Sequence, residues 1–125
     1  MRENELSSFA VNAALKVHTA LGPGLLESAY EACLVHELRK SRLSVVTQHH
    51  LPVLYDGIKI DAGYRLDAVI EDLVILELKA IDALAPIHSA QLLSYLKLSG
   101  KKLGLLMNFH VVHMKDGIKR IVNGL

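Results

Sequence analysis

The chain has 125 residues, 51% of them apolar and 22% charged, with 14 Lys/Arg, 13 Asp/Glu and a formal charge of +1. That length and composition suit one compact domain spanning residues 1–125 and exclude a disordered polyelectrolyte. No apolar run approaches the roughly 18–20 residues of a membrane span. The acidic start Met1-Arg2-Glu3-Asn4-Glu5-Leu6 does not read as a secretory leader. A lone Cys33 permits neither an internal disulfide nor a cysteine zinc cluster, so a reducing cytoplasm is the expected setting.

Residues 5–21 read as a helix with Phe9, Ala10, Ala13, Ala14, Val17 and Leu21 near helical spacing. Gly22-Pro23-Gly24 stops it. A second helix is expected over 25–41, its apolar stripe Leu26, Ala29/Tyr30, Cys33/Leu34 and Leu38, with Arg39 and Lys40 favouring its C-terminal dipole. The period then changes. Leu43–His49 reads as a strand, and Pro52–Tyr55 and Ile58–Ile60 flank Asp56-Gly57, a hairpin signal. Tyr64–Ile70 and Val74–Lys79 follow, the second so apolar that both faces should be covered. Pro86 suits the first position of a helix running to about Leu98, and Gly100 ends it. Leu103–Phe109 reads as a buried strand, and Asp116-Gly117 between Val111-Val112 and Ile118–Val122 as a terminal hairpin. The order ααβββ(β)αβ plus a C-terminal β appendage gives an α/β fold, helices around a mixed central sheet.

Charge is uneven. Residues 97–125 hold six Lys/Arg and one acid, while residues 1–96 hold eight Lys/Arg and twelve acids. A basic end of this kind suits either a polyanion or a solvated surface.

Two charges interrupt the apolar strand Leu76-Glu77-Leu78-Lys79. Alternation puts Glu77 and Lys79 on one face and Leu76 and Leu78 on the other. A Glu–Lys pair or a strand end in solvent is the plain explanation. Asp67 raises the stakes, because it too sits between apolar neighbours in the preceding strand. The two carboxylates share a face only if the connection has odd length, here Glu71-Asp72-Leu73, or carries a compensating bulge. Two converging carboxylates suit Mg²⁺ or Mn²⁺, and a neighbouring Lys79 can orient a water and offset charge on a phosphoryl transition state.

Asp67, a short hairpin, Glu77-Leu78-Lys79 and a following helix together resemble the core of the PD-(D/E)XK nucleases. Gln91 and Tyr95, one turn apart on that helix, resemble the Q-x-x-x-Y element of RecB-like nucleases. Upstream, Gly24-Leu25-Leu26-Glu27-Ser28-Ala29-Tyr30 resembles the family named for G-x-x-E-x-x-Y, which is assigned to the same superfamily. That likeness extends through Tyr64-Arg65-Leu66-Asp67 and Leu105-Leu106-Met107-Asn108-Phe109. Leu66 stands where the motif's name has Pro.

The resemblance implies a restriction-endonuclease-like core. It also implies a metal set of Asp67, Glu77 and the main-chain carbonyl of Leu78, and a catalytic set of Lys79, Glu27, Gln91 and Tyr95. The expected activity is Mg²⁺- or Mn²⁺-dependent hydrolysis of nucleic acid, DNA before RNA, with no membrane role. The alternatives are a nucleic-acid-binding or regulatory module that keeps the fold without cutting, and a protein that assembles as a homodimer. The low net charge and the absence of a basic-aromatic stripe favour the non-cleaving module slightly. The seven histidines form no convincing set, and His18 is read chiefly as a packing or capping residue.

Overall fold

A computed structural model describes residues 2–125. Helices α1 (Glu3–Leu21) and α2 (Glu27–Lys40) come first. Between them Gly22 (φ 70°) and Gly24 (φ 98°) adopt left-handed conformations that side chains other than glycine resist. Then follow β1 (Val45–His50), β2 (Val53–Tyr55), β3 (Ile58–Ile60), β4 (Arg65–Ile70), β5 (Val74–Lys79), α3 (Pro86–Ser99), β6 (Leu103–Asn108), a 3₁₀ turn (Met114–Gly117) and β7 (Ile118–Val122).

Five strands form one sheet in the order β1-β4-β5-β6-β7. All neighbours are antiparallel except β5 and β6, which run parallel and are joined through α3. This is the mixed sheet that the sequence implies, and it is consistent with a restriction-endonuclease-like α/β fold. The hairpin β2–β3 forms its own two-stranded sheet. Asp56 (φ 52°) and Gly57 (φ 73°) are both left-handed, as a tight hairpin of right-handed twist requires.

The sheet separates two apolar cores. Leu6, Ala10, Ala14, Tyr30, Leu34 and Leu38 of α1 and α2 pack on Val74, Leu76 and Leu78 of β5. On the other face Leu92, Tyr95 and Leu96 of α3 pack on Val69, Ile75 and Leu106. Strand β5 thus divides its side chains between the two cores by simple alternation. Gly104 lets α3 sit close, since a Cβ there would lie 2.9 Å from the Leu92 side chain.

Several expectations shift by a few residues or change partner. Phe9 and Leu21 lie off the buried stripe of α1, and Leu6 takes the core position instead. Leu26 precedes α2 as an exposed cap residue, and Val35 is buried in its place. The C-terminal segment is not a separate hairpin. Val111 and Val112 are outside any strand, and β7 instead covers the open edge of β6. Asp116-Gly117 closes the 3₁₀ turn, where Gly117 meets the main-chain carbonyl of Asn108 too closely for any Cβ. An apolar β6 left without a neighbour on that side would expose a row of unpaired backbone groups, so the tail is drawn into the sheet.

The basic C-terminal residues are split along the sheet: Lys119 pairs with Leu106, the partner of Glu77, while Lys101 and Lys102 lie at the other end. Lys101 and Lys102 precede Leu103, which pairs with Val74, whereas Lys79 pairs with Asn108 at the opposite end of β5 and β6. Those two ends are about 17 Å apart at the usual strand rise. No helix among the described residues is long and apolar enough to cross a membrane.

Candidate metal and catalytic site

Strands β4 and β5 begin as a regular hairpin and then part. Ile70 pairs with Val74, Val69 with Ile75 and Ala68 with Leu76, and there the ladder ends. The register follows from a three-residue connection. Leu73 N–H donates to the Ile70 carbonyl (2.9 Å) across Glu71 and Asp72, both with positive φ, and Leu73 is the odd residue that keeps the pairing in phase. Beyond Ala68, β4 stays with β1, where Leu66 pairs with His49 and Arg65 with His50.

The gap left by that divergence is bridged by side chains. Leu78 N–H donates to Asp67 Oδ2 (2.8 Å), and Asp67 N–H donates to Glu77 Oε1 (3.2 Å). The carboxylates therefore replace the backbone partners that the parted strands would have supplied. Within an extended strand the N–H and C=O of one residue point the same way. The Leu78 carbonyl thus faces Asp67, while Lys79, whose carbonyl accepts from Phe109 N–H (2.9 Å), faces β6.

Alternation breaks at Asp67. Ala68 and Ile70 belong to the α1/α2 core, but Leu66, which strict alternation would place with them, lies in the α3 core. Gln48 in β1, beside this break, has φ 50°, outside the strand range. The kink lets one carboxylate, Asp67, feel groups from both faces of the sheet.

The electrostatics are those of an uncompensated acid cluster. Burial, then the Asp67 carboxylate, pushes the Glu77 carboxyl up to about 8, against the opposing pull of Lys79. Glu77 is 6% exposed. Desolvation and Asp67 also raise Glu27, the first residue of α2, with Lys79 opposing and Glu31 adding. Glu31 is raised by desolvation and Asp67, offset by a hydrogen bond from Gln48 Nε2 (2.8 Å). Burial, then the charge of Glu77, holds the Tyr95 hydroxyl above its ordinary value, with Tyr64 and Asp67 contributing further. Among the described residues no ion pair reaches Asp67, Glu77, Glu27 or Lys79, so the simple Glu77–Lys79 pair is not formed.

Asp67 and Lys79 are therefore within electrostatic reach of both Glu77 and Glu27, and Tyr95 joins Asp67 and Glu77 from α3. Gln91 is exposed one turn before Tyr95 and makes no side-chain hydrogen bond among the described residues. His18 is apart from this group; its Nε2 lies 2.8 Å from the Val111 carbonyl, which ties α1 to the segment after β6. No group of three or more His, Cys, Asp or Glu among the described residues is gathered tightly enough to enclose an ion. Two carboxylates with a main-chain carbonyl turned to the same gap fit a hard, oxygen-seeking cation that keeps several waters.

Three further residues shape the site, although the sequence marks them only as part of the family likeness and gives them no site role. Asn108 is 1% exposed and opposes Lys79 in the parallel register. Its Nδ2 donates to the Ile81 carbonyl (2.9 Å), and its Oδ1 accepts from Ile81 N–H (3.1 Å) and His110 N–H (3.2 Å). The main chain leaving Lys79 is thereby clamped. A lone polar residue ending an apolar strand is the same anomaly that exposes Glu77, and it signals Asn108 equally. Tyr30 is fully buried, stacks on Phe109 at 4.6 Å, donates to the Gly22 carbonyl (2.6 Å) and accepts from Leu25 N–H (3.0 Å). It fixes the turn that presents Glu27. Tyr64 lies against Tyr95, with ring centroids 5.9 Å apart.

Comparison with known families matches residues 4–121 to the PD-(D/E)XK nuclease superfamily. No curated protein and no solved structure matches the chain.

Proposed function

The chain belongs to the PD-(D/E)XK nuclease superfamily, and from that premise we propose that it is a divalent-metal-dependent phosphodiesterase acting on nucleic acid, with DNA as the first substrate to test. The observation that carries this reading is the Asp67–Glu77 pair, Glu77 buried and Asp67 half-buried, hydrogen-bonded across parted strands and without an ion-pair partner among the described residues. Buried carboxyls at such a gap are costly unless a cation resolves them.

In this reading Asp67, Glu77 and the Leu78 carbonyl hold Mg²⁺ or Mn²⁺, which when bound polarises the phosphate and makes a nearby water more acidic. Lys79 positions the attacking water and offsets the charge that builds on the phosphoryl oxygens. Glu27 lies on the opposite side of Asp67 from α3 and serves as a further ligand or holds a ligating water. Tyr95 closes the pocket from α3, its hydroxyl within electrostatic reach of Glu77. Gln91, exposed on the same helix, contacts substrate. The G-x-x-E-x-x-Y likeness fits a division of labour in which Glu27 reaches the site and Tyr30 fixes its turn.

The test is incubation of the purified chain with single- and double-stranded DNA and RNA in Mg²⁺ or Mn²⁺. Cleavage that stops with chelator and with Lys79→Ala is the expected outcome. Cleavage indifferent to Lys79→Ala, or none on any substrate with either metal, would overturn the reading. In the second case metal-dependent binding without cutting would favour a non-cleaving module.

A further inference from the structure

Tyr64, ahead of β4, has no part in the chemistry above, yet it stands beside that site. Its ring meets Tyr95 at 53° and 5.9 Å, and Tyr95 senses both Glu77 and Asp67. The two rings differ in access: Tyr95 is 8% exposed and Tyr64 43%. Tyr95 is thus the backing and Tyr64 the open surface. The root of Tyr64 is fixed as well. Its carbonyl accepts from Leu51 N–H (2.9 Å), and the preceding Gly63 (φ 80°) donates its N–H to Asp61 Oδ1 (3.0 Å). An aromatic held at its backbone, supported on one side and open on the other, loses little freedom when a flat ligand covers it.

The charge around the site points to the same class of ligand. A duplex is gripped mainly through phosphates by several Lys/Arg. Here Lys101 and Lys102 lie at the far end of the sheet, Lys101 is engaged by Asp72 (2.9 Å), and Lys119, level with Glu77 in register, stands two strands away from it. The exposed Arg65 beside Tyr64 is the nearest cation in sequence to the ring. The hairpin leading to Tyr64 exposes Leu54, Tyr55 and Ile58 in place of a basic track. Base stacking tolerates such a surface, because every base offers a flat face whatever its sequence.

We propose that Tyr64, backed by Tyr95, is a stacking platform for an unpaired base next to the phosphodiester held at Asp67 and Glu77. The substrate class is then single-stranded or frayed nucleic acid, a statement that rests on the nuclease reading. Arg65 accompanies the platform by contacting the phosphate of the stacked nucleotide.

The chain has four Tyr and no Trp, so tyrosine emission reports stacking directly. Oligothymidylate, oligouridylate and a DNA duplex of equal length are titrated into wild type, Tyr64→Leu, Tyr64→Phe and Tyr64→Trp, following emission and the anisotropy of a labelled strand. Single strands are expected to bind more tightly than the duplex and to quench emission. Tyr64→Leu should weaken single-strand binding about 10- to 100-fold, while Tyr64→Phe and Tyr64→Trp keep it. Unchanged single-strand affinity in Tyr64→Leu, or a Tyr64→Trp protein that binds more weakly than Tyr64→Leu, would overturn the platform. Cleavage assays on the same proteins separate the two claims. Tyr64-dependent single-strand binding by a wild type that never cuts keeps the platform and removes the nuclease. Equal cutting of both substrates whatever stands at position 64 does the reverse.

Discussion

The two ends of β5 carry the same kinds of charge and treat them in opposite ways. At the Val74 end Lys101 meets the Asp72 carboxylate and carbonyl, both at 2.9 Å, with the Asp72 side chain in open solvent. At the Glu77 end Asp67 lies against a buried carboxyl and within reach of Glu27 and Glu31, and the nearby Lys79 forms no ion pair with any of them among the described residues. The first arrangement pins a turn to the loop before β6 and asks for nothing more. The second leaves repulsion that folding alone does not relieve and that a bound cation would, as the proposed site requires.

The sharpest way to break this contrast is to remove the carboxylates. Asp67→Asn and Glu77→Gln should each abolish metal-dependent cleavage and Mn²⁺ binding, followed by calorimetry and a nuclease assay; either variant cutting at the wild-type rate would put the two ends of β5 on an equal footing. Lys79→Ala should lower the single-turnover cleavage rate about 10²- to 10⁴-fold with little change in Tm, since its side chain is only half-buried.

Asn108→Ala tests whether the clamp on Ile81 positions Lys79. It strands the part-buried N–H and C=O of Ile81 and should cost about 1–3 kcal/mol in urea unfolding. It should also lower kcat more than it raises KM. A loss of stability with unchanged kcat would make Asn108 purely structural.

A gentler test is pH. The Glu77 carboxyl is raised from an ordinary 4.5 to about 8 when folded. Its contribution to metal-free stability is therefore full below about pH 4.5 and is lost as pH rises toward 8. Tm of the metal-free wild type should fall across that window, and Glu77→Gln should flatten the fall. Divalent cation should restore Tm most at the alkaline end, because binding takes the carboxylate form. At the other end of β5, Lys101→Ala should move Tm very little, since the Asp72 side chain it meets is fully exposed. A large drop there would show that the far end is no mere surface pairing.

Much of the fold is legible in local pattern. Pro86 starts α3 and Gly100 (φ 72°) ends it, Asp56-Gly57 makes the hairpin, and the apolar β5 lies between two cores. The odd-length link Glu71-Asp72-Leu73 is legible because side-chain parity has only two values. What escapes is long-range. Nothing local in Ile118–Val122 says that it will pair with β6, and nothing in Leu66 says that it will cross to the α3 core. The polar clamp of Asn108 and the contact of Tyr64 with Tyr95 join residues 27 and 31 positions apart in the chain. Spacing arguments reach along one element or one hairpin, and these contacts lie between elements.

The most direct measurement is Mn²⁺ titration calorimetry of wild type and Asp67→Asn at pH 7, each in two buffers of different ionisation heat. The wild type should bind saturably and release protons to the buffer as Glu77 ionises, and Asp67→Asn should show neither. A wild type that does not bind, or an Asp67→Asn isotherm that overlays it, would contradict a metal site between Asp67 and Glu77.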